Sequence, residues 1–582
     1  MSGVSIDARR VALPSRCLEV IPNNCTQNPN AEPYRFVLRD TLGKSGRYTT
    51  LSHRWNPSVW RCRTTTLNVN CRMDLCQAGC LQCHDQPMEL TPLFKDAALL
   101  SAQIGIKYIW IDSLCIIQDS NEDWRRESVA MASYYQRSWL TFFATALSAS
   151  GGLFGSIPQE AVPRVARLPY RDAAGHRQGY FYVQCSEEAV PFTDYKDSVS
   201  QSELLRRGWV HQEWILSRRK VTFSGAGISF RCQRYGPMTM QGDTILNTAQ
   251  TEPINSSSGI EMDVAASSAA ASSVSDILES WLATVQVFSG LELSKLENDR
   301  LIAVAGLAKE CGQALLAKDG TGNQPRYVSG LWYGYWRCLL WEQLSDGEKV
   351  RVGGFPTWSW ASIATKKHSE NGVSSLTGMP VQWTSYPPAD RPPTCEIGFK
   401  TVRAVTVKEP LEGDCETFEP LFDQTSTALP GDMDQFSASN RFHMLGITGK
   451  LLSIHLDQVF EPPEDANIAA ELTHHSPDSG RDLWRRVATP SEPGYIAGWA
   501  SLEHPEYQTD SSVWASGIVA LVVTSLEGNF LGLPPSFRVL FLRPSDISGF
   551  SECYERVGTG GLFGRDVQAM MQSTQESSVW LV

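Results

Sequence analysis

The chain has 582 residues, of which 42% are hydrophobic, 20% charged and 10% aromatic, a composition that excludes disorder, collagen and coiled coil for most of its length. At about 150 residues per domain, the length predicts roughly four domains. A net charge of −12 disfavours binding to nucleic-acid phosphates. No apolar run approaches the ~20 residues needed to cross a bilayer, and residues 1–22 lack a signal-peptide core. We therefore expect a cytoplasmic protein without nucleic-acid or membrane partners.

The first predicted element is a strand region over 34–56. It ends in the sequence YTTLSHRW, whose β-branched and aromatic residues are typical of a short strand. The cysteine-bearing stretch 57–89 then interrupts the pattern, and we interpret it as an insertion.

Four residues of this insertion have the side chains and short spacings of a tetrahedral zinc site, namely Cys76, Cys80, Cys83 and His84. A zinc ribbon has two CxxC pairs, however, and this segment has one. Without a secretory signal the 15 cysteines of the chain are expected to be reduced thiols. We therefore expect a surface loop without metal and keep zinc as the alternative.

From residue 91 helices and strands alternate. Thr91 is a good helix N-cap, and the apolar run 107–112 predicts a central parallel strand that closes on Asp112. Asp119 or Ser120 can cap a second helix, and 139–145 is the next strand. This alternation predicts a doubly wound parallel sheet with helices on both faces.

The second half of the chain has a different residue pattern and predicts different elements. We expect helix over Trp281–Cys311, a further helix that carries Trp332 and Trp341, a buried turn at Trp358–Trp360 and short strands beyond 396. The predicted regions are an α/β domain over 34–250, a Ser/Ala-rich linker over 251–275, a helical Trp-rich region over 276–365 and a β-rich region over 396–582.

Several polar residues are candidates for chemistry. Asp112 ends a predicted parallel strand, where α/β proteins place ligands, but it is as good a cap for the next turn. His53 could donate a proton or bind phosphate together with Arg54, and the alternative is a half-buried structural histidine. Glu127, on the second helix, is expected to pair with a nearby arginine. The sequence contains no GxSxG, Walker A or HExxH motif.

Three stretches together resemble the HET (heterokaryon incompatibility) domain of filamentous fungi. They are Tyr48-x-x-Leu51-Ser52-His53-x-Trp55, the run from Phe94 through YIWIDSLCIIQD to Tyr135, and Arg207-Gly208-Trp209-x-x-Gln212-Glu213. The resemblance covers 48–235 and, through motifs such as Pro356-x-Trp358-Ser359-Trp360, also 281–362. One departure is Asn56-Pro57, where the family usually has glycine after the tryptophan.

The resemblance implies a fold like that of TIR domains, a flavodoxin-like sheet, and a role in non-self recognition and cell death after cell fusion. Some TIR domains cleave NAD, so an NAD glycohydrolase with NAD as substrate is one hypothesis. Two others stay open: an accessory protein or tailoring enzyme of a fungal secondary-metabolite pathway, and a non-catalytic signalling module that self-associates. The implied partner is a small molecule or a partner incompatibility protein.

The resemblance also implies site residues. In NAD-cleaving TIR domains the key glutamate follows a tryptophan by one helical turn, and Trp209-x3-Glu213 is similar. We therefore predict Glu213 and Asp112 as catalytic residues, and as substrate-binding residues Ser52, His53, Arg54, Trp55 and Trp209. The alternative for Glu213 is a structural ion pair with Arg207, Arg218 or Arg219.

Overall fold

The computed structural model describes residues 10–22, 33–74, 90–145, 152–153, 164–172, 174–185, 199, 202–224, 227–232, 235–241, 244–247, 273–319, 325, 327–332, 335–343, 348–368, 374–378, 381–383, 403–405, 444–456, 484–491, 496–503, 517–526, 536–545 and 552–582. The chain divides into two compact units, Met1–Asp263 and Val264–Val582. This division falls within the predicted linker, of which 251–272 lie outside the described residues. In the described part of the chain, no helix combines the length and apolar composition that crossing a bilayer requires.

The first unit is built on a sheet with helices on both faces. Its strands are β1 Val11–Ala12, β2 Arg16–Pro22, β3 Tyr34–Asp40, β4 Ser45–Gly46, β5 Tyr48–Ser52, β6 Tyr108–Ile111, β7 Leu140–Ala144, β8 Arg164–Arg171, β9 Arg177–Cys185, β10 Arg219–Ser224, β11 Gly227–Cys232, β12 Tyr235–Gln241 and β13 Thr244–Asn247. Its helices are α1 Pro57–Cys62, α2 Val69–Arg72, α3 Pro92–Gln103, α4 Asp112–Cys115, α5 Asn121–Arg137 and α6 Gly208–Leu216.

The main sheet of this unit is mixed, which corrects the prediction of a parallel sheet. Its strand order is β13-β12-β11-β10-β7-β5-β6-β2-β3, and only the neighbours among β10, β7, β5 and β6 are parallel. Strand β2 pairs antiparallel with β6, with Leu18 opposite Ile109. The α/β alternation that predicts parallel strands begins at β5. The hairpin β2–β3 lies before it, and the antiparallel β11, β12 and β13 lie after it.

Local sequence explains where the helices around the parallel strands begin. The Thr91 side chain accepts a hydrogen bond from the Phe94 backbone N–H at 3.3 Å and so caps α3. Ser120 does the same for the Asp123 N–H at 3.2 Å at the start of α5, as predicted. Each cap satisfies a backbone donor that has no partner within its own helix.

Alternation along β5 sends successive side chains to opposite faces of the sheet. On one face, Thr49 Oγ1 donates to Ser101 Oγ of α3 at 2.8 Å. On the other face, Tyr48 Oη donates to the Tyr134 carbonyl of α5 at 2.7 Å. The strand ends at Ser52, so that Ser52 and His53 emerge toward different helices at the carboxyl end of the parallel strands.

The second unit is helical at its start and rich in strands thereafter. Its helices are α7 Val274–Ser289, α8 Leu296–Asp299, α9 Ile302–Asp319 and α10 Arg565–Ser573, with 3-10 turns at Trp336–Leu339 and Trp360–Ser362. Its strands are β14 Tyr327–Val328, β15 Leu331–Trp332, β16 Trp341–Gln343, β17 Glu348–Arg351, β18 Ile363–His368, β19 Ser374–Gly378, β20 Val381–Trp383, β21 Arg403–Val405, β22 Met444–Ser453, β23 His455–Leu456, β24 Trp484–Ala488, β25 Gly498–Leu502, β26 Val519–Leu526, β27 Ser536–Pro544, β28 Cys553–Phe563 and β29 Glu576–Leu581.

A large sheet follows the helices in this unit. Its order is β21-β22-β26-β27-β28-β25-β24-β23, and β29 pairs with both β22 and β28. One face covers an apolar core to which β26 and β27 contribute Ala520, Val522, Val539 and Phe541. The β-rich C-terminal region is therefore confirmed.

The helix predicted to carry Trp332 and Trp341 is wrong. Trp332 lies in β15 and Trp341 in β16. Strands β14 and β15 form a hairpin whose two turn residues, Ser329 and Gly330, have φ of 43° and 93°. Two consecutive positive φ angles are those of a tight hairpin turn, and they are incompatible with a right-handed helix. The predicted turn at Trp358–Trp360 is buried, as expected.

Candidate functional site

The candidate site lies at the carboxyl ends of β5 and β6, two neighbouring parallel strands. Asp112 directly follows β6, and its side chain is 24% exposed. Its Oδ2 accepts a hydrogen bond from Trp55 Nε1 at 2.9 Å, and its Oδ1 accepts one from the Ser113 backbone N–H at 2.7 Å. Asp112 therefore holds the Trp55 indole and the backbone of the next residue, and the same carboxylate remains partly open to solvent.

Glu213 comes to this site from α6. Burial is the main reason that its pKa is raised to about 7, and the nearby charge of Asp112 adds to the increase. Three neighbours act in the opposite direction: Ser52, Arg207 and Tyr135. The Ser52 hydroxyl is close enough to favour the ionised carboxylate, although its geometry falls short of a full hydrogen bond. A carboxyl with a pKa near 7 can hold or release a proton at neutral pH.

The structure does not place Glu213 in the ion pair that was the alternative prediction. Among the described residues, Glu213 forms no salt bridge with arginine or lysine. The Arg207 guanidinium instead donates to the His53 carbonyl at 2.9 Å and acts on Glu213 through its charge. Arg219 donates to the Trp139 carbonyl at 3.0 Å. The Glu213 charge is therefore not neutralised by a direct partner.

Comparison with known families identifies this part of the chain. The family model described as Heterokaryon incompatibility protein (HET) matches residues 48–213. Residues 48–213 therefore form a heterokaryon incompatibility (HET) domain. No curated protein and no solved structure matches the chain. The matched range runs from the first residue of β5 to Glu213 and includes the parallel strands β5, β6 and β7.

Within the HET domain, His53 lies on the α3 side of the sheet. Its ring packs edge-to-face on Phe94 with 4.9 Å between centroids, and its Nδ1 is 3.7 Å from Asp112 Oδ1. Neither ring nitrogen has a hydrogen-bond partner in the described part of the protein. Burial lowers the pKa of His53, so the imidazole is neutral at pH 7. His53 is thus buried beside the site.

The remaining predicted residues of the HET domain have different positions. Arg54 is exposed, and its guanidinium already has an anionic partner in Glu203. Trp209 lies one helical turn before Glu213 on α6 and packs edge-to-face on Trp124 at 6.1 Å. Trp55 donates a hydrogen bond to Asp112, and Trp209 lies on the same face of α6 as Glu213.

Four residues in or next to the site have buried polar atoms without a hydrogen-bond partner among the described residues: Ser52, His53, Ser113 and Gln212. Buried polar groups are nearly always satisfied by protein, water or ligand. Such a concentration at one edge of a sheet suits the binding of a polar molecule.

In the described ranges, no group of three or more His, Cys, Asp and Glu residues has the arrangement of a metal site. The zinc candidates Cys76, Cys80, Cys83 and His84 lie outside the described residues.

Sequence reasoning missed Tyr135 as a site residue. Its hydroxyl donates to the Leu51 carbonyl at 3.4 Å and interacts with Glu213, and burial raises its pKa well above the ordinary value. The sequence signal was its place on the apolar stripe of α5, which indicates burial but not what its hydroxyl meets.

Glu127 is paired, as predicted, although its partners include a residue that was not foreseen. Arg126 Nε lies 3.2 Å from Glu127 Oε1, and Arg16 Nη2 lies 3.7 Å from the same atom. Arg16 also pairs with Asp123. Burial acts to raise the pKa of Asp123, but the Arg16 hydrogen bond and charge outweigh it, and the pKa is lowered. This network ties β2 to α5, and Glu213 takes no part in it.

Proposed function

We propose that this protein acts in heterokaryon incompatibility as an effector whose HET domain cleaves NAD at the nicotinamide–ribose bond. The observation that carries the proposal is that Asp112, at the carboxyl end of β6, is close enough for its charge to act on Glu213, which is buried and has no ion pair among the described residues. In α/β sheets, ligands bind at this edge. A buried carboxylate that no protein cation neutralises is suited to stabilise positive charge on a substrate.

The proposed chemistry follows from charge development on the ribose. When the C–N bond breaks, its electron pair goes to the nicotinamide ring nitrogen, and the ribose becomes oxocarbenium-like, as in glycoside cleavage. Ionised Glu213 would stabilise that cation, and Asp112 would accept hydrogen bonds from ribose hydroxyls. Water then adds to the anomeric carbon and loses a proton to a carboxylate or to solvent. The products are nicotinamide and ADP-ribose.

The arrangement of the parallel strands supports a relationship to the TIR fold. In spatial order β6, β5, β7 and β10 are the second, first, third and fourth parallel strands of the chain. This is the beginning of the flavodoxin-like order, which places its ligand beside the first strand. The antiparallel strands β2 and β11 at either side are an addition to that pattern. We therefore propose a TIR-like core with antiparallel flanks.

The test is nicotinamide release from NAD by the purified full chain. Glu213→Gln preserves the shape of the side chain and removes its charge, and we expect release to fall by about 10²-fold or more. Glu122→Gln is the matched control, because Glu122 is exposed in the first turn of α5. Folded parent protein that releases no nicotinamide would overturn the proposal and favour a non-catalytic signalling module. Equal release by the Glu213→Gln variant would remove Glu213 from the mechanism.

A further inference from the structure

A pair of tryptophans lies directly beside the partly exposed side of Asp112. Trp55 Nε1 donates to Asp112 Oδ2 at 2.9 Å, and the Trp55 and Trp60 rings pack edge-to-face with 5.0 Å between centroids. Trp60 is 52% exposed, and it is the only tryptophan among the exposed large hydrophobic side chains of the described residues. Aromatic surface therefore continues from the candidate catalytic carboxylate out to solvent.

The exposure of Trp60 is fixed by the helix that carries it. Asn56 caps α1 by accepting the Val59 N–H at 2.9 Å, and the buried side chains of Val59 and Cys62 anchor the helix to the core. Trp60 lies between these two anchors in sequence and is left on the outer side of the helix. The exposed half of the Trp60 side chain adds no burial energy to the fold, and its contact with Trp55 makes it part of a continuous aromatic surface, which is typical of a binding site.

A cation accompanies the exposed ring. The Arg63 guanidinium lies 5.0 Å from the centroid of the Trp60 ring, and its Nη1 donates to the Trp60 carbonyl at 2.9 Å. Arginine next to an aromatic face provides stacking surface and a positive charge in one place. An apolar protein surface would gain little from that charge, whereas a nucleotide presents a planar base together with anionic phosphate.

We propose that Trp55, Trp60 and Arg63 form a base-binding platform that holds the adenine nucleotide half of the substrate. The inference rests on the proposed function, because it assigns the non-reacting half of NAD to surface next to Asp112. Stacking on indole is favourable for any base and does not require hydrogen-bond readout. The platform makes the same contacts before and during bond cleavage, so it should lower KM and leave kcat unchanged.

The test measures binding without cleavage. The ligand is ADP-ribose, with ribose 5-phosphate as the analogue that lacks a base, and both are titrated by calorimetry into the full chain carrying Glu213→Gln. In that background, Trp60→Ala should weaken ADP-ribose binding about tenfold and leave ribose 5-phosphate binding unchanged. Trp60→Phe should retain most of the affinity, because it keeps an aromatic face. Leu67→Ala, at a side chain 74% exposed in the same segment, is the matched control.

Two results would overturn the platform. One is absence of ADP-ribose binding by the Glu213→Gln protein. The other is equal affinity in Trp60→Ala and Leu67→Ala; loss of self-association in Trp60→Ala alone would then assign the surface to a second copy of the chain. Because binding is read without turnover, the platform can fail while NAD cleavage holds, and it can hold while cleavage fails.

Discussion

The charge of Asp112 acts on Glu213, which belongs to a different element of the HET domain. Burial first, and then the charge of Asp112, raises the pKa of Glu213 to about 7. One carboxyl comes from the end of β6 and the other from the middle of α6, so only the folded sheet brings them together. The coupling makes the protonation state of Glu213 measurable through the stability of the protein.

Stability should fall with pH because of Glu213. The unfolded chain releases this proton near the ordinary pKa of 4.5 and the folded protein only near 7. Protonated Glu213 therefore stabilises the folded state by up to about 3 kcal/mol below pH 4.5. This contribution is lost as the pH rises from 4.5 to 7. Glu213→Gln cannot ionise, so it should melt above the parent at pH 8 and converge with it toward pH 4.5. Parallel melting curves across this window would show that Glu213 is not perturbed; Glu122→Gln controls for charge alone.

Removing the charge of Asp112 should change that titration. Asp112→Asn retains a side-chain oxygen that can accept from Trp55 Nε1 but removes the negative charge that raises the pKa of Glu213. The pH at which stability is lost should therefore move down, while burial keeps the pKa of Glu213 above 4.5. Thermal unfolding from pH 4 to 8 measures the shift. An unchanged midpoint would mean that the two carboxyls do not interact.

The arginines around Asp123 and Glu127 should differ strongly in their contribution to stability. Arg16 is buried and pairs with both carboxylates, whereas the Arg126 side chain is 55% exposed. Arg16→Met leaves buried carboxylates without their main partner and should cost about 3–5 kcal/mol. Arg126→Met should cost about 0–1 kcal/mol, because solvent screens an exposed pair. Similar unfolding midpoints in urea for the two variants would contradict the network.

Limited proteolysis should first cut the chain within 251–275. This stretch is Ser/Ala-rich and has too little apolar content to pack against a core. The division between the two units falls within it. Mass spectrometry of early fragments identifies the first cut. Initial cleavage within 91–145 would contradict the α/β core, since those residues include its central helices and strands.

Local signals predicted much of the HET domain. Thr91 and Ser120 are recognisable caps, and the apolar run before Asp112 is recognisable as a buried strand, because caps and periodicity act over a few residues. The burial of Arg16 was not predictable in this way. Its partners, Asp123 and Glu127, are distant in the chain, and no local pattern records that they offset the cost of burying a cation.

The predictions failed where one residue type suits several structures. Tryptophans near Trp332 and Trp341 suggested a helix, but aromatic residues pack equally well in strands, and the backbone at Ser329 and Gly330 decides for a hairpin. In the site, Trp209-x3-Glu213 predicted a shared helix face. It did not reveal that Tyr135 and Ser52 would meet the carboxyl, since those contacts depend on how α5 and α6 pack on the sheet.

The pH dependence of nicotinamide release tests the role of Glu213 most directly. Nicotinamide leaves with the bond electrons and needs no proton, so the reaction as proposed requires ionised Glu213. For the parent protein, kcat/KM for NAD should rise as the pH increases through about 7, the pKa to which burial and Asp112 raise Glu213. A rate that is constant or falls through this range, in protein that stays folded, would contradict the account.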